Sequence, residues 1–417
     1  MKKSIKFLLS AAALTLLSVG LAGCGNSSSG KTTIQFFSTK TENAATYKKM
    51  ISEFEKKNPK IKVQLSSPSN AGTVLKSYLA KNSVPDVMAM GGDVNYKQVQ
   101  KAGVLVDMSK QSFTKTTMPQ YQKMITSISK GGKLDAVPYA TNASGIIYNK
   151  DLFEKAGITS TPTTWDELMQ DAEILKSKGI TPFELPFQDS WTTMGVFNQI
   201  SSNMIPQSWN DKRLKDKTTF VADYKPVMEK YLEISKYAQK DYMGTPYNDG
   251  TKAVANGKAA MMINGNFSIP QMKQSNKDAN LDMFAFPVTN DASKIKVTSG
   301  IDVALAVSNK SKNKDAAMKF VKFLMQKKNA EMYNKREFSF SAIKGVEQKS
   351  STVQGIQSYL SDGKVVNYPD HYYPDGFDMT AVLSQAGVNE TKGMSDSTNI
   401  QKTLKKADSA YNSANVK

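Results

Sequence analysis

From residue 33 onward the apolar positions of the chain change period in a regular order. Residues 33–37 are a short aliphatic and aromatic run, which predicts a strand. Tyr47, Met50, Ile51 and Phe54 then recur at i, i+3, i+4 and i+7, one stripe of a helix that Asn58 and Pro59 stop. Ile61, Val63 and Leu65 alternate as a second strand, Val74, Leu75 and Leu79 suggest a second helix, and residues 87–90 are a continuous apolar strand. Strand and helix in alternation predict an α/β fold on a mostly parallel sheet. In such sheets ligands gather beyond the carboxyl ends of the strands, here residues 38–42 and Gly91-Gly92-Asp93. Asp93 either presents its carboxylate to a ligand or caps the helix that runs through Val99.

The pattern restarts at Val137, with Ile146, Ile147 and Tyr148 as its apolar centre. Thr164 and Glu167 have capping-box spacing, and the helix they open carries Trp165, Leu168, Ala172 and Leu175 on one side, which puts Trp165 in the core. Trp191 differs: it ends the polar stretch Gln188-Asp189-Ser190, and is open either to a cleft or to a wedge between helices. Further helices are expected through Val227 and Tyr231, through Phe320 and Leu324, and through Ile400 and Leu404; further strands at 259–263, 284–287 and 303–307. Asn264-Gly265-Asn266-Phe267 follows the first of these, Gly300 and Asp302 precede the last, and residues 368–377 form a dense aromatic and acidic loop containing Tyr373 and Asp375.

The first 30 residues change the picture. Lys2, Lys3 and Lys6 precede an apolar run at 7–19 that is broken only by Ser10, Thr15 and Ser18. A run shorter than the roughly 20 residues that span a bilayer, behind a positive start, has the form of a secretory leader. Leu21, Ala22 and Gly23 before Cys24 resemble the bacterial lipobox, in which the leader is cut before the cysteine and the cysteine is acylated. Residues 26–30 then read as a flexible tether. No other cysteine occurs, so the body has no disulfide and its stability comes from packing. What remains after the leader has the size of two domains.

Charge and composition exclude several functions. The net charge of +18 is carried by scattered lysines, with Arg213 and Arg336 the only arginines; nucleic-acid recognition favours planar arginine, and dispersed lysine fits a surface beside an anionic envelope. His371 is the only histidine, so multi-histidine zinc sites, Ser-His-Asp triads and Cys-His pairs are absent. Ser-x-x-Lys spacings occur, but no Lys-Thr-Gly follows them, and the acidic loop lacks the ligands of a calcium hand. A carboxylate pair for glycoside hydrolysis stays open, because 37 acidic residues leave many pairs. The loops offer amides, a few carboxylates and aromatics, a set suited to a neutral polyhydroxyl ligand.

Several segments together resemble the extracellular solute-binding proteins of carbohydrate ABC importers, family 1. They are the lipobox, residues 54–59 before Ile61-Lys62-Val63, Pro85-Asp86-Val87, Pro138-Tyr139 with residues 147–151, residues 162–168 and residues 256–261. The resemblance implies a periplasmic-binding-protein-like fold of two α/β lobes joined by three crossings, near 139–144, 300–306 and 339–343. Lobe 1 would hold 32–140 plus 301–340, and lobe 2 would hold 141–300 plus 341–417. An oligosaccharide would bind between the lobes, which close on it and dock on membrane permease subunits; the protein would be a monomer on a lipid anchor at Cys24, at the outer face of a Gram-positive cytoplasmic membrane, with no cofactor and no catalysis. Family ligand contacts fall on Ser38, Thr39, Glu42, Asp93, Asn142, Gln188, Asp189, Trp191, Asn264, Phe267, Gly300, Asp302, Tyr373 and Asp375. Members often carry tryptophan where Phe267 stands and aromatics where Gly91 and Gly92 stand. The other readings are a surface-anchored glycoside hydrolase, a protein of the same fold that binds a polyamine, phosphate ester or iron complex, and a plain surface scaffold.

Overall fold

The aromatic run that opens the body becomes a strand buried on both faces, β1 (Thr32–Ser38), in which Phe36 and Phe37 point into two different cores. The computed structural model describes residues 30–41, 43–68 and 70–415, so the leader, Cys24 and Glu42 lie outside the described residues. Helix Ala44–Lys57 buries the stripe Tyr47, Met50, Ile51 and Phe54, and β2 (Ile61–Ser66) and β3 (Val87–Met90) follow as expected. The later strands are β4 (Val137–Asn149), β5 (Thr181–Phe183), β6 (Ala259–Gly265), β7 (Leu281–Phe284), β8 (Val297–Val307), β9 (Phe340–Ser341) and β10 (Val365–Val366).

All ten join one sheet in the order β2-β1-β3-β8-β4-β6-β5, with β10 on β8 and β7 and β9 on β4. The mostly parallel sheet holds only in part. β1 pairs in parallel with β2 and β3, whereas β8 is antiparallel to β3 and β4, and β4 is antiparallel to β6 and β7. The cause is topological: β4 leaves the first three strands for the second half of the sheet, and β8 runs back beside it. The strand expected at 284–287 lies instead at Leu281–Phe284, and the one expected at 303–307 begins at Val297.

Three buried clusters share this frame. Ile34, Phe36, Phe54 and Phe320 lie on one face of the N-terminal strands; Phe37, Met88, Met90 and Ile125 lie on the other. A larger cluster gathers Ile146, Leu168, Phe197, Met261, Leu383 and Leu404. β4 belongs to both halves, with Tyr139 in an N-terminal cluster and Ile146 in the large one; β8 does the same through Leu305 and Val297. β9 flanks β4 at Ala140 and Thr141, so three passages of chain lie side by side at the junction. After β9, Ala342, Ile343 and Val346 still pack in the N-terminal clusters, and Val353 packs in the large one. Among the described residues no helix is long and apolar enough to cross a membrane.

Candidate ligand-binding cleft

Residues from both halves meet around a cleft of about 840 Å³. One wall is aromatic. Tyr247 opens the helix Tyr247–Ala255, and its amide donates to Asp189 Oδ2 at 2.7 Å, which fixes that helix start against the loop before Trp191. The Trp191 ring meets the Tyr247 ring edge to face at 4.8 Å, and Phe267 lies 6.3 Å away. Trp191 is 44% exposed and Phe267 38%, an unusual state for large rings and the reason they read as a contact surface instead of core. Burial raises the Tyr247 hydroxyl above its ordinary pKa, with Ser268 opposing, so it stays a neutral donor.

The facing wall is polar. Asp302 on β8 pairs with Lys40 from the loop after β1, and Arg336 Nε donates to Thr46 Oγ1 at 2.9 Å, whose hydroxyl in turn donates to Glu337. Here the helix Lys327–Glu337 ends at Phe338 in the left-handed region, φ 50°, a conformation a bulky residue adopts only under constraint. Asn266 supplies such a constraint: its Nδ2 donates to the Phe338 carbonyl at 2.7 Å while its Oδ1 accepts from Ala143 N, also at 2.7 Å. One amide therefore ties three segments at the floor of the cleft.

Asn142 is the second tie. Its Oδ1 accepts from Gly300 N at 3.1 Å and from the Tyr368 hydroxyl at 3.0 Å, and its Nδ2 lies 3.5 Å from Asp302 Oδ1. Tyr368 also meets Ser144 Oγ at 2.9 Å, and its burial raises its pKa well above the ordinary range. On the other side of Tyr368 a further cavity of about 490 Å³ holds Asp93, Lys97, Asp370, Tyr373 and Asp375. Burial lowers the Lys97 pKa, and Asp375, Asp370 and Asp93 partly restore it; its ammonium donates to the His371 carbonyl.

The sequence profile of the bacterial extracellular solute-binding proteins matches residues 38–331. The chain belongs to that family. The multiple sugar-binding protein of Streptococcus mutans serotype c is 32% identical to this solute-binding protein over 410 residues, covering 94% of this chain and 96% of the relative. Apo RafE from Streptococcus pneumoniae has the same fold, with a TM-score of 0.79 at 25% identity over 93% of this chain and 99% of that one. RafE in complex with raffinose gives 0.73 at 25% identity over 93% and 100%.

In this solute-binding protein all the described residues singled out from sequence, except Gln188, fall into three groups. Asn142, Trp191, Phe267 and Asp302 line the main cleft, and Asp93, Tyr373 and Asp375 line the adjoining cavity. Asp93 also caps its helix, with Oδ1 accepting from Asn95 N at 2.9 Å, so both of its readings coexist. Ser38, Thr39, Asp189, Asn264 and Gly300 shape the site from behind. Ser38 folds its hydroxyl onto Lys40, Thr39 N donates to the Ala89 carbonyl at 3.0 Å, and Asn264 is buried with Oδ1 on Gly265 N at 2.9 Å. Gln188 is exposed and lines neither cavity. Tyr373 is 7% exposed and packs 5.1 Å from Phe377, so most of its ring serves the core. Lys40 and Asn266 lie in the loops 38–42 and 264–267 that the sequence singled out, whereas Tyr247, Gln271, Arg336 and Glu337 were not among its candidates. Arg336 carried one usable signal, as one of only two arginines; the others had none.

Proposed function

We propose that this chain is the substrate-binding lipoprotein of a carbohydrate ABC importer, and that it captures a neutral oligosaccharide between its lobes without altering it. The observation that carries this reading is the exposed pair Trp191 and Phe267, with Tyr247 behind them, facing amides and carboxylates whose charges are matched by Lys40 and Arg336. Ring faces take the apolar face of a sugar, and amide and carboxylate oxygens take its hydroxyls. Two relatives, the multiple sugar-binding protein and RafE in complex with raffinose, point the same way. The site residues in this reading are those two aromatics with Asn142, Asp302 and Asp93, together with Tyr247, Lys40 and Arg336, which line the main cleft.

Lobe 1 is 32–140 with 301–340, and lobe 2 is 141–300 with 341–417, except that 342–346 pack with lobe 1. The protein works as a monomer anchored through acylated Cys24 on a Gram-positive cell; Cys24→Ala is expected to move it from the membrane fraction to the medium.

The test is a tryptophan-fluorescence titration with raffinose, stachyose, melibiose and maltose series sugars. Saturation by at least one of them is expected, with roughly 10- to 100-fold weaker binding for Trp191→Ala, the scale of about 1.4 to 2.8 kcal/mol for an aromatic that the bound sugar covers. No response from folded protein across the series overturns the reading, and reducing ends released during incubation would move it to the hydrolase.

A further inference from the structure

The cavities around the junction sort their charges. The main cleft sets Lys40 and Arg336 against Asp302 and Glu337, and the adjoining one sets Lys97 against four aspartates. A third cavity, of about 710 Å³, holds Lys123, Lys294 and Lys296 and no carboxylate among its described lining residues. It shares no lining residue with the other two and lies on the opposite side of the 369–372 turn from the aspartate cavity: Tyr372 enters it, while His371 and Tyr373 enter the other.

Its two walls belong to different halves. Lys123 stands on helix Pro119–Ile128, whose Tyr121 and Ile125 pack in an N-terminal cluster; Lys294 and Lys296 flank Ile295 of the large cluster. Lys294 meets Asp291 at 2.9 Å, whereas Lys123 and Lys296 enter no ion pair among the described residues. The walls touch through the Tyr372 hydroxyl, which accepts from Gln207 Nε2 at 2.7 Å and Asn367 Nδ2 at 3.0 Å and lies 3.4 Å from Ser127 Oγ.

Lys123 and Lys296 are like charges on the two walls and repel, and among the described residues no ion pair neutralises either of them. Lysine binds phosphate as a point charge, so a scarcity of arginine does not count against this site as it counts against planar recognition. The amides of Gln120, Asn203 and Gln207 at the same cavity suit hydroxyls beside the anion. We propose that this cavity is a second ligand site, separate from the cleft, that takes a phosphate group borne on a polyol and is bridged by it from wall to wall.

The site is tested without any sugar. Calorimetric titration of the full chain with inorganic phosphate and with glycerol phosphate, at ionic strength held constant with potassium chloride, is expected to show saturable binding. Lys123→Ala with Lys296→Ala should weaken it roughly tenfold, as two lost charge contacts of up to 1 kcal/mol each imply. Both lysines are exposed, so the variant folds, and an unchanged circular dichroism spectrum and melting midpoint check this. Glycerol phosphate is expected to bind more tightly than inorganic phosphate, because its hydroxyls reach the amides; equal affinity would overturn the polyol part of the proposal. Hydrogen exchange should slow on both helix Pro119–Ile128 and residues 204–207. Heats no different from chloride, binding undiminished in the double variant, or protection on one wall only would each overturn the proposal.

Discussion

Gly300 has no room for a side chain. A Cβ there would lie 2.8 Å from the Tyr368 ring, at the point where β8 crosses between the halves and Asn142 receives its amide. Gly300→Ala is therefore expected to cost about 1 to 3 kcal/mol in urea unfolding and to weaken ligand binding as well, since the ring it displaces holds Asn142. Glu184 gives a pH prediction. Burial pushes its carboxyl up to about 7, against a partial lowering by Lys258. The folded protein then holds a proton that the unfolded chain has released, so stability is highest below the ordinary carboxylate pKa and falls as pH rises toward 7. Glu184→Gln should raise stability by about 2 kcal/mol at pH 8 and by little at pH 4, read from melts at both. At this scale the sequence exposed Trp191 by its polar surroundings, while Tyr247 carried no mark. It follows a proline in an ordinary helix start, and only the Asp189 hydrogen bond from 58 residues away turns it to the cleft.

Elements show a sharper division. The start of the helix Trp165–Ser177 was legible to the residue, because a capping box is a local device: Thr164 accepts from Glu167 N at 3.3 Å and Glu167 accepts from Thr164 N at 3.2 Å. Thr164→Ala should lower stability by about 1 kcal/mol and leave sugar titrations unmoved. The C-terminal helix Asp396–Ala414 is held by a device that no local pattern announces. Asp408 accepts from Phe220 N at 2.7 Å and Val221 N at 3.0 Å, capping another helix, and lies 3.3 Å from the buried Arg213, whose guanidinium stacks 4.3 Å over the Tyr411 ring. Arg213→Ala leaves that carboxylate without its buried cation and should cost roughly 3 to 5 kcal/mol in chemical denaturation. β8 is expected as five residues and is eleven, since Thr298, Ser299, Gly300 and Asp302 are polar or small and only pairing with β4 makes residues 298–302 a strand.

The whole molecule is two packed halves on one sheet, joined where β4, β8 and β9 run side by side. Few elements cross the cleft, so a ligand that touches both walls gains contacts only when they approach, and binding favours the closed pose by that difference. A saturating sugar should therefore reduce the radius of gyration in small-angle scattering. At 100 times its dissociation constant it should also add about 2.7 kcal/mol to unfolding free energy. Trp191→Ala should shrink the stabilisation at fixed sugar without lowering the melting midpoint of the free protein, because the ring it removes is exposed.

By itself the sequence determined the class of the fold, most helix and strand positions, the two-lobed resemblance, and the aromatic and amide character of the loops, all of which depend on near neighbours and hydropathic period. Only the tertiary structure decided which loops share a cavity, that β8 runs antiparallel beside β4, and that Asn142 and Asn266 tie distant segments. The reason is that these depend on pairings between residues more than a hundred positions apart, such as Asn142 with Gly300 and Ala143 with Asn266, and a chain read in order has no term for them.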